Sequence, residues 1–290
     1  MNSITASKSL WDDDRSVSPI IGTVLMVGIV VILAATVSAS VLGFGDELGG
    51  TEITIGECNQ PVSFNPADMA GFADDVSTNC QGVALWSFDD SYTQSVATDS
   101  IGSNDGIIDD SVTYVSGVRN SGLSYDGTAT PVEIPHDESF NFEANDSFTI
   151  TSWVKVDSHR FVSQTILAKQ PANYHGYNVR VTPSGKLETR IGDGRNYKSA
   201  KNGTVPTGTW VHVATVVDRD TETLTQYIDG RQVGLEKDIS NIGSVGSTED
   251  IHLGDVAYTD SKLDGSQDEV RIFAKSLSKN EIRDLHQHKR

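Results

Sequence analysis

Two hydrophobic patterns divide the chain. From Ser16 to Gly45 no residue is charged, and Pro19 to Ala35 is almost wholly apolar. A helix rising about 1.5 Å per residue over that stretch reaches about 45 Å, more than the ~30 Å hydrocarbon core of a bilayer. From Val83 onward the pattern becomes a succession of short alternating, β-branched runs. They are Leu85 to Phe88, Val132 to Ile134, Phe148 to Val156, Tyr177 to Val181, Leu187 to Ile191, Trp210 to Val217, Leu224 to Ile228 and Ile251 to Gly254. Period-two alternation of this kind predicts strands. Turn residues separate them: Pro183-Ser184-Gly185-Lys186, Asp218-Arg219-Asp220-Thr221, and Asp229-Gly230, a strong two-residue hairpin signal. Consecutive antiparallel strands over about 200 residues predict an all-β, two-sheet jelly-roll sandwich. Near the end, Ser278 with Glu281 three residues on has the form of a capping box opening a short helix.

The apolar N-terminal segment predicts a membrane span. Lys8 and Arg15 precede it and Asp46 and Glu47 follow it, so the positive-inside tendency puts the N-terminus in the cytoplasm and the rest outside. The run is too long for a secretory signal peptide and lacks a small-x-small site before a domain start. Its opening, Asp14-Arg15-Ser16-Val17-Ser18-Pro19-Ile20-Ile21-Gly22, resembles archaeal type IV pilins, haloarchaeal ones especially. That resemblance implies a leader of residues 1–16, cut by a prepilin peptidase between Ser16 and Val17. It also implies a retained helix over 17–45, which anchors the subunit and then packs against other pilin subunits. Gly22, Gly28, Ala34, Ala35 and Ser38 suit close helix approach. The bacterial glutamate at the fifth position is absent, since Ile21 stands there. A plain single-span anchor is the alternative.

Residues 46–82 carry seven acidic and no basic side chains, without sustained periodicity, and read as an acidic stalk or linker. Cys58 and Cys80 lie in it, and outside the cell a disulfide between them is chemically permitted.

In the β region six motifs follow one another: Ala84 to Asp89, Gly122 to Gly127, Phe148 to Lys155, Trp210 to Ala214, Tyr227 to Gly230 and Asp268 to Phe273. Together they resemble the laminin-G-like, concanavalin A-like jelly-roll family over residues 83–290. The resemblance implies recognition of a glycan or protein, and often a structural calcium. Asp126 and Asp268, in two of those motifs, are the candidate calcium ligands. A turn aspartate capping its own backbone is the other reading of each.

Composition narrows the function. A net charge of −18, from 40 acidic against 22 basic side chains, repels phosphate backbones, and outside the mixed C-terminal tail no Lys/Arg cluster offers a nucleic-acid footprint. Nucleic acid is therefore excluded as a partner. The same acidity resembles proteins of salt-loving archaea. No strand carries the carboxylates on alternate positions that a sugar hydrolase needs, and neither a nucleophile elbow, a phosphate loop nor a zinc motif occurs. The reading is a binding protein, not an enzyme. Trp86, Trp153 and Trp210 lie inside strand motifs and are expected in the core. Loop aromatics and hydrogen-bonding residues are the expected ligand contacts: His159, Arg160, Tyr174, His175, Arg195 and Tyr197. Asn145 and Asn202 open glycosylation sequons in expected loops. The chain thus reads as a cell-surface, pilin-like adhesive subunit, or as a membrane-anchored glycan-binding protein that does not polymerise.

Overall fold

The computed structural model describes residues 82–89, 95–171, 173–256 and 260–287. The expected leader, membrane helix, stalk and Cys58–Cys80 bridge lie outside the described residues. Among those described, no helix is long and apolar enough to cross a membrane.

The described residues form sixteen strands: β1 (Gly82–Trp86), β2 (Val96–Ala97), β3 (Gly106–Ile107), β4 (Thr113–Ser116), β5 (Ser121–Asp126), β6 (Val132–Ile134), β7 (Phe148–Val156), β8 (Gln164–Lys169), β9 (His175–Val181), β10 (Leu187–Asp193), β11 (Tyr197–Asn202), β12 (Val211–Asp218), β13 (Thr223–Ile228), β14 (Arg231–Asp238), β15 (Ile251–Leu253) and β16 (Asp264–Phe273). One helix, α1 (Lys279–Gln287), follows them. They make two antiparallel sheets. The first has the order β14-β13-β12-β7-β16-β5-β4, with β1 also paired to β16, and the second runs β11-β10-β9-β8-β15-β6-β3-β2. This is the expected two-sheet jelly-roll sandwich.

Alternation explains the packing. Along β9 and β10 the register pairs Val181 with Leu187, Val179 with Thr189 and Tyr177 with Ile191, and these side chains are buried. The apolar ones meet Trp86, Leu123, Phe148 and Ile272 of the first sheet in one inter-sheet core. A polar seam crosses it: Thr189 Oγ1 and Thr215 Oγ1 are 2.7 Å apart, and Gln226 Nε2 donates to Thr189 Oγ1. A smaller cluster on the outer face of the first sheet joins Ala214, Val216, Tyr227 and Phe273 to Leu277 and Ile282. There α1 is seated by its capping box, with Ser278 N donating to Glu281 Oε2 and Glu281 N to Ser278 Oγ.

The turns follow their chemistry. Asp229 and Gly230 both take positive φ, as a two-residue hairpin between Ile228 and Arg231 requires. Asp218 Oδ1 accepts from Asp220 N and Thr221 N, closing the β12–β13 turn. Trp86 and Trp153 are buried, while Trp210 is half-buried with Lys155 Nζ above its ring.

Candidate functional site

Facing away from the core, the second sheet carries a different set of side chains. Pairing puts Tyr197 of β11 opposite Gly192 of β10, and Gly192 opposite Gly176 of β9. A Cβ at Gly192 would lie 2.1 Å from Tyr174 O and one at Gly176 would lie 1.9 Å from Lys169 O, so both positions require glycine. Over this glycine floor the rings of Tyr174 and Tyr197 stack at 5.0 Å between centroids and 18° between planes. Both tyrosines are exposed, Tyr174 at 43% and Tyr197 at 55%. Such a pair offers an apolar ring face together with phenolic hydroxyls.

Beside the pair, at the same end of the sheet, lies a groove of about 480 Å³ whose lining includes Asn141, Glu143, Asn173, His175, Ser247 and Glu249. Three side chains help to hold its far wall, the 243–249 loop. Lys169 Nζ donates to Ser247 O and Glu249 O and lies 3.0 Å from His136 Nδ1. Asn141 Oδ1 accepts from Ser247 N, and Asp193 Oδ2 accepts from Gly243 N. Burial pulls the Lys169 ammonium down to about 8 while the surrounding carboxylates, Asp250 and Glu249 foremost, oppose that, so it remains the cationic staple at neutral pH. Burial works against ionisation of Asp193, but the backbone N–H groups of Asn196, Gly243 and Arg195 outweigh it and hold the carboxyl low. Ser247 Oγ is buried without a partner.

Further along the same face, Glu188 is fully buried. It accepts from Arg180 Nε at 2.7 Å, Arg190 Nε at 2.9 Å and Ser199 Oγ at 2.7 Å, and Lys201 Nζ lies at 3.3 Å. Burial alone would raise this carboxyl, but the bonds from Arg180, Ser199 and Arg190 hold it at about 2.

The six expected ligand contacts fall into two places. Tyr174, His175, Arg195 and Tyr197 come together: the site of a Cβ on Gly194 is 3.5 Å from His175 Cβ, and Arg195 N donates to Asp193 Oδ1 in the turn that ends on Tyr197. His159 and Arg160 lie elsewhere. The His159 ring abuts Gly185, in the turn beyond the other end of β9, and bonds Val205 O. Arg160 Nη1 donates to Gly127 O and Lys262 O. Both are tied to backbone carbonyls that fix loops.

The two expected calcium ligands are likewise apart. Asp126 pairs with Asp264, four residues from Asp268 on β16, or about 13 Å of strand. Asp126 Oδ1 is engaged by Thr128 N, Thr128 Oγ1 and Ala129 N, the turn cap that its sequence allowed. Asp268 is fully buried. Its Oδ2 accepts from Val118 N and Arg119 N, whereas Oδ1 has no partner. Burial, reinforced by the charges of Glu269 and Asp89, pushes this carboxyl up to about 7 despite those two N–H donors. An orphaned buried carboxylate oxygen with a second carboxylate nearby fits a divalent cation; Asp126 does not. Among the described residues no group of three or more His, Cys, Asp or Glu is gathered as a metal cluster, so backbone carbonyls would have to complete such a shell. Asn145 is exposed, while Asn202 ends β11 rather than lying in a loop, with its amide donating to Gln226 Oε1.

Sequence reasoning missed Arg180, Glu188, Arg190 and Lys201, whose outward alternation on three strands was the available signal. It also missed Lys169, Asn141 and Ser247, which no local pattern connects.

Comparison with known proteins gives two family matches. The concanavalin A-like lectin/glucanases superfamily matches residues 126–283, and the archaeal type IV pilin N-terminal family matches residues 15–53. No curated protein matches the chain. Among solved structures, the binding domain of Paraclostridial Mosquitocidal Protein 1 is 16% identical with a TM-score of 0.60, over 72% of this chain and 52% of that one. The chain therefore spans about half the length of that domain. Domain 4 of AbnA, a GH43 extracellular arabinanase from Geobacillus stearothermophilus solved with arabinotriose, is 21% identical with a TM-score of 0.55, over 71% of this chain and 98% of that one. Trypanosoma rangeli sialidase is 16% identical with a TM-score of 0.55, over 71% of this chain and 32% of that one. At these identities the likeness is one of fold. The similar structures include both binding domains and a sialidase, and no enzymatic family is assigned by them.

The ionic cluster yields a pH prediction. A carboxyl held below its unfolded value stabilises the fold above about 4.5 and loses that contribution as pH falls towards 2. Glu188→Gln is expected to cost about 3 kcal/mol in denaturant unfolding at pH 7, with the gap to wild type closing between pH 4.5 and 2. A gap that is independent of pH would contradict the assignment.

Proposed function

The chain belongs to the concanavalin A-like lectin/glucanases superfamily, with an archaeal type IV pilin segment at its N-terminus, and from that premise we propose that it is a cell-surface, pilin-like subunit displaying a non-catalytic, glycan-recognising domain for adhesion. In this reading prepilin peptidase cuts between Ser16 and Val17, the helix over residues 17–45 anchors the subunit and later joins other pilin subunits, and the sandwich stands outside the cell. The observation that carries the binding part is the exposed Tyr174–Tyr197 stack over Gly176 and Gly192, beside a polar groove. Ring faces of sugars present axial C–H groups that pack on aromatic rings, while their hydroxyls need the amides and carboxylates that the groove supplies. The arabinotriose-bound arabinanase domain supports a sugar as the class of ligand for this fold. Calcium, in the same proposal, takes Asp268 and Asp89 as its carboxylate ligands and neutralises a buried charge that is otherwise costly.

Three outcomes are expected. On a panel of surface and cell-wall polysaccharides the purified protein binds at least one, and Tyr174→Ala or Tyr197→Ala weakens binding about 10-fold or more, since stacking of this kind is worth about 1.4 kcal/mol or more; binding unchanged in both variants would remove the platform from the proposal. Mass spectrometry of sheared surface filaments finds a mature N-terminus at Val17 that is lost in cells lacking prepilin peptidase, whereas an uncut terminus confined to membranes would mark a plain anchored receptor. Calcium raises the Tm of the wild type but not of Asp268→Asn. In chelator the wild type loses stability as pH rises from about 4 to about 7, because the folded state favours the neutral carboxyl, and Asp268→Asn lacks that loss. A wild-type Tm indifferent to calcium would sink the metal site.

A further inference from the structure

The proposed glycan is open as to charge, and the second sheet's outer face speaks to it. Register places Arg180 opposite Glu188 and Glu188 opposite Lys201, with Arg190 opposite Asn178 on one side and Ser199 on the other. Three cations thus surround one carboxylate on a chain whose net charge is −18. The next carboxylate on this face, Glu133 of β6, stands beyond His252 and Ala168, three strand spacings from Asn178 or about 14 Å, and is within 3.9 Å of His252.

Arg180 and Arg190 each bond Glu188 through Nε, which leaves the paired Nη groups that bind a carboxylate bidentately. Lys201 keeps 54% of its side chain exposed. Two acceptors on the same face, Asn178 Oδ1 and Thr165 Oγ1, are buried without a partner in the protein. Along β11 the side chains Tyr197, Ser199 and Lys201 follow at two-residue steps, so about 13 Å of strand separates Tyr197 from Lys201, the reach of a short oligosaccharide.

Resting on the glycan-binding reading, we infer that the ligand is an acidic polysaccharide of the hexuronate class. One sugar ring lies on Tyr174 and Tyr197 while a carboxylate further along the chain meets Arg190, Arg180 and Lys201. The surrounding negative surface repels such a polymer everywhere except along this strip, which sets its register. Glu188 positions the two guanidinium groups.

The test compares oligogalacturonate with neutral oligogalactose of equal length, by calorimetric titration against the full protein. Oligogalacturonate is expected to bind at least 10-fold more tightly. Lys201→Glu is expected to abolish that preference, and Arg190→Gln to reduce it; because a second carboxylate beside Glu188 also lowers the Tm, the titrations are made at a temperature where each variant is folded by circular dichroism. Equal affinity for the two sugars, or a preference that survives Lys201→Glu, would overturn the acidic class and leave glycan binding standing. Failure to bind these or any other glycan on the panel would overturn both readings.

Discussion

Two sheets can share one core only if alternate residues of each strand are given to it, and this constraint decides what remains for chemistry. In β9 and β10 the inward set is Tyr177, Val179, Val181, Leu187 and Ile191, all buried. The outward set of the same two strands is Asn178, Arg180, Glu188 and Arg190. A shift of one residue in register would exchange the two sets. The functional face is therefore stabilised by the same apolar burial that makes the sandwich, and its geometry is as rigid as the core behind it. The outer face of the first sheet has no such freedom, because α1 covers its apolar residues with Leu277 and Ile282.

This constraint also explains what the sequence discloses. Phe148–Val156 and Val132–Ile134 are legible to the residue, since their apolar and β-branched runs stop at turn residues. Gln164–Lys169 is not, because its apolar and polar residues do not alternate although every position is buried. Tyr197–Asn202 escapes for the opposite reason: an edge strand with two lysines, a serine and an asparagine looks like a loop. The site divides in the same way. Tyr174, His175, Arg195 and Tyr197 could be named because they stand around two turns at one end of a hairpin. The groove wall could not, since Lys169 reaches Ser247 and Glu249 across 78 and 80 residues and Asn141 reaches Ser247 across 106. The two expected contacts that lie elsewhere, His159 and Arg160, show the limit of composition as a guide: a histidine and an arginine in a loop serve equally to fasten it.

Charge is the second organising term. A strongly acidic surface keeps the protein hydrated and soluble, yet it opposes association with any anionic partner. Local reversal of sign needs cations held against the general field, and long flexible side chains in solution do this poorly. Burying Glu188 among Arg180, Arg190, Lys201 and Ser199 does it well, because the carboxylate fixes both guanidinium groups while contributing only one negative charge. Absence of a basic run in the sequence is consistent with this, since the three cations come from three strands and meet only through the register. The assembled patch, three cations around one carboxylate, is small and directional rather than a broad phosphate-binding surface.

Affinity at an open sheet face is expected to be modest, because stacked rings and partly hydrated ion pairs leave much of a sugar in contact with water. An adhesive protein has another source of strength. Joining many weak sites through a shared support turns each further contact into an intramolecular one, and avidity then exceeds single-site affinity by about 10² to 10⁴. In the proposed function, a pilin-type N-terminal segment supplies such a support when subunits gather at a filament or in a membrane. A long polysaccharide supplies the matching array of repeated ligands. Weak, fast, charge-selected contacts on a rigid sheet are then an advantage, since they let a surface hold firmly while individual sites exchange.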